Sequence, residues 1–202
     1  AWGATYTFMD TIDSWVEECN QGQYKQDDNW YDFSKRTEVI KRKNHPEHSI
    51  TTYENRHGIL AGDPNIEGRY LSTRWIAEDS GAKSLIASFK IAQAQDAEQA
   101  MTCLGDIESA WNWVISDTQW IIAYQMSGLM PKRPSNWNCF TPAPGWDSQF
   151  DWQVVVKPTD LPRGLNPKEG YIVTANQDLN HLGNVAPINM PMGEYRSSRI
   201  ED

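Results

Sequence analysis

Residues 166–176 read Asn166-Pro167-Lys168-Glu169-Gly170-Tyr171-Ile172-Val173-Thr174-Ala175-Asn176, and Arg196-Ser197-Ser198-Arg199-Ile200 follows near the end of the 202-residue sequence. The pattern Asn-Pro-x-x-Gly-Tyr-Ile-x-x-x-Asn, then Arg-x-x-Arg-Ile, is specific in residue type and in spacing, and a chance composition does not produce it. Taken alone, Asn176 is a turn or capping residue, because an Asn side chain bonds readily to nearby backbone. Upstream of this run, residues 131–167 are rich in Pro and carry little sign of regular structure. Loops of that length inside a compact domain are usually functional or built upon by a neighbour.

Working outward, Asn112-Trp113-Val114-Ile115-Ser116-Asp117 and Trp120-Ile121-Ile122-Ala123-Tyr124 predict a hairpin turning at Asp117-Thr118-Gln119. The one clear helix starts at Asp96, a capping residue, and carries Ala100, Met101, Leu104 and Ile107 at helical spacing; Gly105 weakens it without forbidding it. The first half reads as strands and turns. Thr37-Glu38-Val39-Ile40 and Ser49-Ile50-Thr51-Thr52-Tyr53 are β-branched runs, with Asp27-Asp28-Asn29 and Lys43-Asn44-His45-Pro46 as punctuation. They form a meander of antiparallel strands, and a second pair of strands is expected from residues 68–75, after the turn signal Gly62-Asp63-Pro64-Asn65. Strands, a helix and long loops together give an α+β class, mostly antiparallel, with part of the covering helix layer lying outside this sequence.

The length suffices for a real core, since a domain of this size buries roughly 70% of its extended surface. The formal net charge is −9, and Lys41-Arg42-Lys43 is the longest basic tract. Nucleic acid is therefore not an expected partner, because affinity for it comes from neutralising phosphates. No stretch reaches the roughly 20 apolar residues that a membrane-spanning helix needs. The sequence opens on Ala1 rather than Met, as a piece of a longer chain would, so the lack of a signal segment says little. Ten Trp residues admit two readings, buried area with a partnered indole N–H or a binding surface. Cys19, Cys103 and Cys139 show no zinc or redox spacing; three free thiols are expected, and at most one disulfide.

No Gly-x-Ser-x-Gly elbow, Gly-rich phosphate loop or His-Glu-x-x-His helix is present in the sequence. His57, beside the turn residue Gly58, reads as a hydrogen-bonded structural residue, since a base needs a nucleophile in reach. Asp10, the Ile12 carbonyl and Asp13 could face a hard cation. They offer three oxygens where calcium takes six to eight, so on spacing alone they read as solvated turn residues.

Several segments, in one order, resemble the β chain of the penicillin acylase family. They are Ala1-Trp2-Gly3-Ala4-Thr5 with the Asp10–Asp13 stretch, Arg56-His57-Gly58-Ile59-Leu60, Tyr70-Leu71-Ser72-Thr73-Arg74-Trp75, the hairpin from Asn112 through Tyr124, Gly128 and Pro131-Lys132-Arg133, and the 166–176 and 196–200 runs. The resemblance covers nearly the whole sequence. It implies an internal segment, residues 1–202, of an N-terminal-nucleophile hydrolase domain, a four-layer αββα sandwich whose freed Ser uses its own α-amine as base. That Ser falls before Ala1, so the nucleophile is expected outside this sequence, and this chain alone is expected to be inactive.

The resemblance also implies the rest of the site. Tyr6 matches the backbone oxyanion donor, Asn176 the side-chain donor, and Arg196 the guanidinium beside the nucleophile. Acyl-pocket positions fall at Ala4, Ser88, Phe89 and Trp111, and Trp111 replaces a smaller residue, which narrows the pocket. Calcium ligands are implied at Asp10, Ile12 (carbonyl), Asp13 and Cys139 (carbonyl), with no clear equivalent of a later family Asp between Asn176 and Arg196. No organic cofactor is implied. The expected partners are an α chain, the remaining β-chain segments and a small N-acyl amide (penicillin-type, phenylacetyl-type or other), and the expected location is periplasmic or secreted. The rival readings are a Trp-rich binding module, which requires exposed coplanar Trp rings and Asn176 apart from Arg196, and an acylase-like interaction domain without catalysis.

Overall fold

The computed structural model of the protein describes residues 1–185 and 191–202. In chain order its strands are β1 (Trp2–Tyr6), β2 (Ile12–Asn20), β3 (Gln23–Gln26), β4 (Asn29–Asp32), β5 (Ser34–Ile40), β6 (His48–Asn55), β7 (Gly58–Ala61), β8 (Gly68–Trp75), β9 (Trp111–Ser116), β10 (Ile122–Ser127), β11 (Ala143–Pro144) and β12 (Arg163–Leu165). The α-helices are α1 (Lys83–Lys90), α2 (Ala97–Gly105) and α3 (Tyr195–Glu201). The chain divides into two compact units: residues 1–11, 76–131 and 154–202 form the first, and residues 12–75 and 132–153 the second.

The first unit is built on a four-stranded antiparallel sheet in the order β1-β9-β10-β12. Its inner strand β10 is covered on both faces. One face carries Ala123 against Trp113, Ile115 and the α2 residues Ala100, Met101 and Leu104; the other carries Tyr124 and Met126 against Met9, Met130, Val156 and Leu161. A strand buried on both sides loses its alternation, and in β10 even the polar Gln125 and Ser127 are buried. The Tyr124 hydroxyl donates to Asn112 Oδ1 at 2.8 Å, and burial pushes its phenol well above the ordinary value.

Helix α2 starts where expected. Asp96 Oδ1 accepts the Gln99 N–H at 2.8 Å, and the Gln99 amide reaches back to Asp96 Oδ2 and to the Gln95 N–H. The expectation of one helix is incomplete, since α1 and α3 are also present. Helix α1 takes its start from a distant carboxylate: Glu108 accepts from the N–H groups of Gly81 and Ser84 and from Ser84 Oγ. Burial alone would raise the Glu108 carboxyl, and these bonds outweigh it and hold it below the usual range.

The run at 166–176 closes the other edge of this sheet. Asn166 N donates to Ile122 O at 2.9 Å and Asn166 Oδ1 accepts from Ile122 N at 3.0 Å, continuing the β10–β12 pairing. The chain then turns through Pro167 to Gly170, whose N–H bonds to Pro167 O at 3.0 Å and whose φ of 78° belongs to the region glycine favours.

The second unit holds the larger sheet, β4-β3-β2-β8-β7-β6-β5, with β11 added in parallel to β2. The strands expected in the first half pair antiparallel, β5 with β6 and β7 with β8. Along β2 the buried side carries Asp13, Trp15, Glu17 and Cys19. Trp15 is fully enclosed by Trp137, Phe150 and Trp152 and donates its indole N–H to Phe150 O at 3.1 Å. Cys19, Cys103 and Cys139 are free thiols, as expected. Burial first, then Glu17, pushes the Cys19 thiol up to about 12, so it packs as a small apolar group.

Candidate active site

The register of β1 decides which of its backbone groups are available. Ser116 N donates to Ala1 O and Thr7 N donates to Ala110 O, so the odd-numbered residues of β1 bond to β9. In an antiparallel pair the residues between point their N–H and C=O the other way. Tyr6, Ala4 and Trp2 therefore turn both backbone groups to the far side of β1, the terminal strand of this sheet among the described residues.

Asn176 meets that edge. Its Nδ2 donates to Tyr6 O at 2.7 Å, and its Oδ1 accepts from Arg196 Nη1, in the first turn of α3, at 3.0 Å. The Tyr6 backbone, Asn176 and Arg196 thus come together. Both ends of the Asn176 amide are oriented by these bonds, which leaves one Nδ2 hydrogen to donate elsewhere. Asn176 sits at φ 67°, a left-handed conformation that Asn adopts more readily than other side-chain-bearing residues. Its carbonyl accepts from Met192 N at 2.7 Å, and Arg196 also leans on the Met192 thioether.

The pocket candidates divide. Tyr6 and Trp111 are paired in register and meet edge to face at 5.6 Å. Ala4, opposite Trp113, lies on the same sheet face. Ser88 and Phe89 lie on α1, with Ser88 Oγ bonded into its own helix at Ser84 O and Phe89 largely exposed. Of the calcium candidates, Asp10 belongs to the first unit, and Ile12, Asp13 and Cys139 to the second. Asp13 Oδ2 accepts from Arg133 Nε at 2.6 Å and from Trp152 Nε1 at 2.7 Å. Among the described residues no three His, Cys, Asp or Glu side chains are grouped as a metal site.

His57 has a structural setting, as expected. It is buried in the second unit, stacked on Trp15 at 4.4 Å, with Nδ1 2.7 Å from Glu17 Oε1 and Nε2 2.9 Å from Asp151 Oδ1. Gly58 beside it sits at φ 86°, where an added Cβ would lie 2.1 Å from Thr73 O, so this turn requires glycine. The sequence reading missed two kinds of residue. Gln177, whose amide accepts from Ala175 N–H and donates to Val173 O, left no sequence signal. The acidic partners of His57 left none, because Glu17 and Asp151 are far from it in the sequence.

These features define a class before a family. The chain is α+β and forms part of the αββα sandwich of the N-terminal-nucleophile hydrolases: it superposes on a thermostable penicillin G acylase from Alcaligenes faecalis with a TM-score of 0.78 and 25% identity, covering 89% of this chain and 33% of that one. The penicillin amidase family model matches residues 1–202, and the chain belongs to that family. It is 30% identical over 188 residues to the acyl-homoserine lactone acylase QuiP of Pseudomonas fluorescens (strain Pf-5), covering 88% of this chain and 23% of that protein. It is 28% identical over 186 residues to the penicillin acylase 2 proenzyme of Pseudomonas sp. (strain SE83), with 87% and 23% covered. The chain thus spans about a quarter of the length of these curated relatives.

Proposed function

We propose that this chain is one segment of the β-chain domain of an amidohydrolase that cleaves the acyl amide bond of a linear amide through an acyl-enzyme. The observation that carries the reading is the Asn176 amide, bonded to Tyr6 O and to Arg196 on the outward edge of β1. An N-terminal Ser, supplied by residues outside this sequence, attacks the amide carbonyl while its α-amine takes the hydroxyl proton. The negative charge that develops on the carbonyl oxygen is met by the Tyr6 N–H and the remaining Asn176 Nδ2 hydrogen. Both donors are in place beforehand, so they strengthen as charge develops without reorganising. Arg196 fixes which end of the Asn176 amide faces the reaction. The tetrahedral species collapses, the amine leaves with the proton, and water releases the acyl group.

The relatives' names point to N-acyl amides of differing acyl part, and the Trp111–Tyr6 contact narrows the sheet face beside Ala4. Ser88 and Phe89 on α1 are proposed as further acyl-pocket positions. The partners are the α chain and the other β-chain segments of one precursor, in the periplasm or outside the cell. The Asn176–Arg196 bond speaks against the Trp-rich binding module. The test is to offer the whole protein N-phenylacetyl and N-fatty-acyl amides and measure the free amine. Release from at least one class is expected, with none from this segment alone. No release from either overturns the reading.

Calcium is proposed only as a structural ion of the whole protein. In the second unit its donors would be the Asp13 carboxylate and the Ile12 and Cys139 carbonyls, fewer than the six to eight oxygens such an ion takes, so others must come from elsewhere. Dialysis against a chelator should lower the Tm of the whole protein, with recovery on adding Ca²⁺ but not Mg²⁺. An unchanged Tm removes calcium from the account.

A further inference from the structure

Asn176 is held in its left-handed conformation by the next side chain along. Gln177 Oε1 accepts the Ala175 N–H at 2.6 Å, and Gln177 Nε2 donates to Val173 O at 2.8 Å. One amide therefore bridges the backbone at Val173 and Ala175, ahead of Asn176, and fixes the path of residues 173–177. Ala175, inside this clamp, is 3% exposed, so the bonds are sheltered from competing water. On the far side of Asn176 its carbonyl is tied to Met192 N. A non-glycine residue with positive φ persists where its surroundings over-determine it. Here the main chain is set by Gln177 and Met192, and the side chain by Tyr6 O and Arg196.

We propose that Gln177 is a positioning residue of this amidase, acting only through Asn176: its amide keeps the Asn176 Nδ2 at the Tyr6 edge, and it touches no substrate atom. The proposal rests on the functional reading above. It requires both ends of the amide. Glu at this position retains an acceptor for Ala175 N–H but sets a carboxylate against the Val173 carbonyl, and Met fills similar volume with neither bond.

The experiment compares Gln177→Glu and Gln177→Met in the whole protein, alone and combined with Asn176→Gly. Each single change at Gln177 is expected to lower kcat at least tenfold with KM within about twofold, because the support serves a donor used in the transition state. With Asn176 already replaced, the same changes should lower kcat no further, a non-additivity that general loss of structure does not give. Crystal structures of the single variants supply a readout independent of activity: the Asn176 φ leaves the positive region, or its Nδ2 leaves Tyr6 O. If both variants keep wild-type kcat, or lose as much in the Asn176→Gly background, the assignment is overturned. If the wild-type protein hydrolyses no amide, the functional reading fails by itself. The clamp is then judged on the crystal structures alone, and an unmoved Asn176 overturns it.

Discussion

Replacing Asn176 by Gly in the whole protein should reduce kcat by about 10² to 10³, with little change in KM. Gly is the informative choice because φ 67° is open to it, so the backbone keeps its path while the amide is lost. Asn176→Ala adds strain at the same position and should lose as much or more. Asn176→Asp is the harsher electrostatic test. It is nearly isosteric, still accepts from Arg196, and turns a carboxylate oxygen towards Tyr6 O and the developing oxyanion, so its kcat should fall below that of Asn176→Gly. The split between kcat and KM matters more than the size of the loss: a group that merely bound substrate would raise KM, whereas one that meets charge only in the transition state lowers kcat. Burst measurements of acyl-enzyme formation check this directly. If the Gly variant acylates at the wild-type rate, the amide of Asn176 is not an oxyanion donor.

The sequence made part of this arrangement legible because local chemistry there agrees with the fold. Asp96 caps α2 through Gln99, and the β9–β10 hairpin turns about Asp117, whose carboxylate accepts from Gln119 and Ile121. The Asn-Pro-x-x-Gly run turns where its Pro and Gly require it to. What escaped reading depends on groups far along the chain. Helix α1 follows no local cap, since its amide partner is Glu108. Strand β2 alternates cleanly, but its buried side includes Asp13 and Glu17, and acids at core positions disguise the pattern. They are tolerated because Arg133 and Trp152 meet Asp13 while His57 and Asn55 meet Glu17. For the site, the family pattern named Tyr6, Asn176 and Arg196, and the outward direction of the Tyr6 backbone followed only from the β1–β9 register. Gln177 had no pattern to name it.

Removing the hydrogen bonds of His57 should produce a large loss of stability in the second unit. Both ring nitrogens lie at hydrogen-bond distance from carboxyl groups, those of Glu17 and Asp151. Arg56 Nε, 2.9 Å from Asp151 Oδ2, joins the cluster. Glu17 is wholly buried, and Gly145 packs so close that a Cβ there would lie 2.4 Å from Glu17 Oε2, so the carboxylate has no room to turn towards water. His57→Phe keeps a ring on Trp15 and leaves the buried Glu17 carboxyl without this partner, a loss of about 1–3 kcal/mol for a buried polar group left unsatisfied. In the whole protein, amide exchange in β2 and β7 should then accelerate by about 5-fold to 10²-fold. Adding Glu17→Leu should recover part of the loss, since the stranded polar group is its source; if the double variant exchanges as fast as the single, packing sets the cost. Asp151 gives the same cluster a pH dependence. Burial would raise its carboxyl, but the His57 hydrogen bond and the charges of Arg56 and His57 outweigh this and hold it below the ordinary Asp value. A folded value below the unfolded one means that the contribution is complete above about pH 4 and is lost as pH falls through the lower, folded value. Exchange in β7 should therefore quicken on acidification below about pH 4 in the wild type, and in Asp151→Asn it should be faster at neutral pH and flatter across that range.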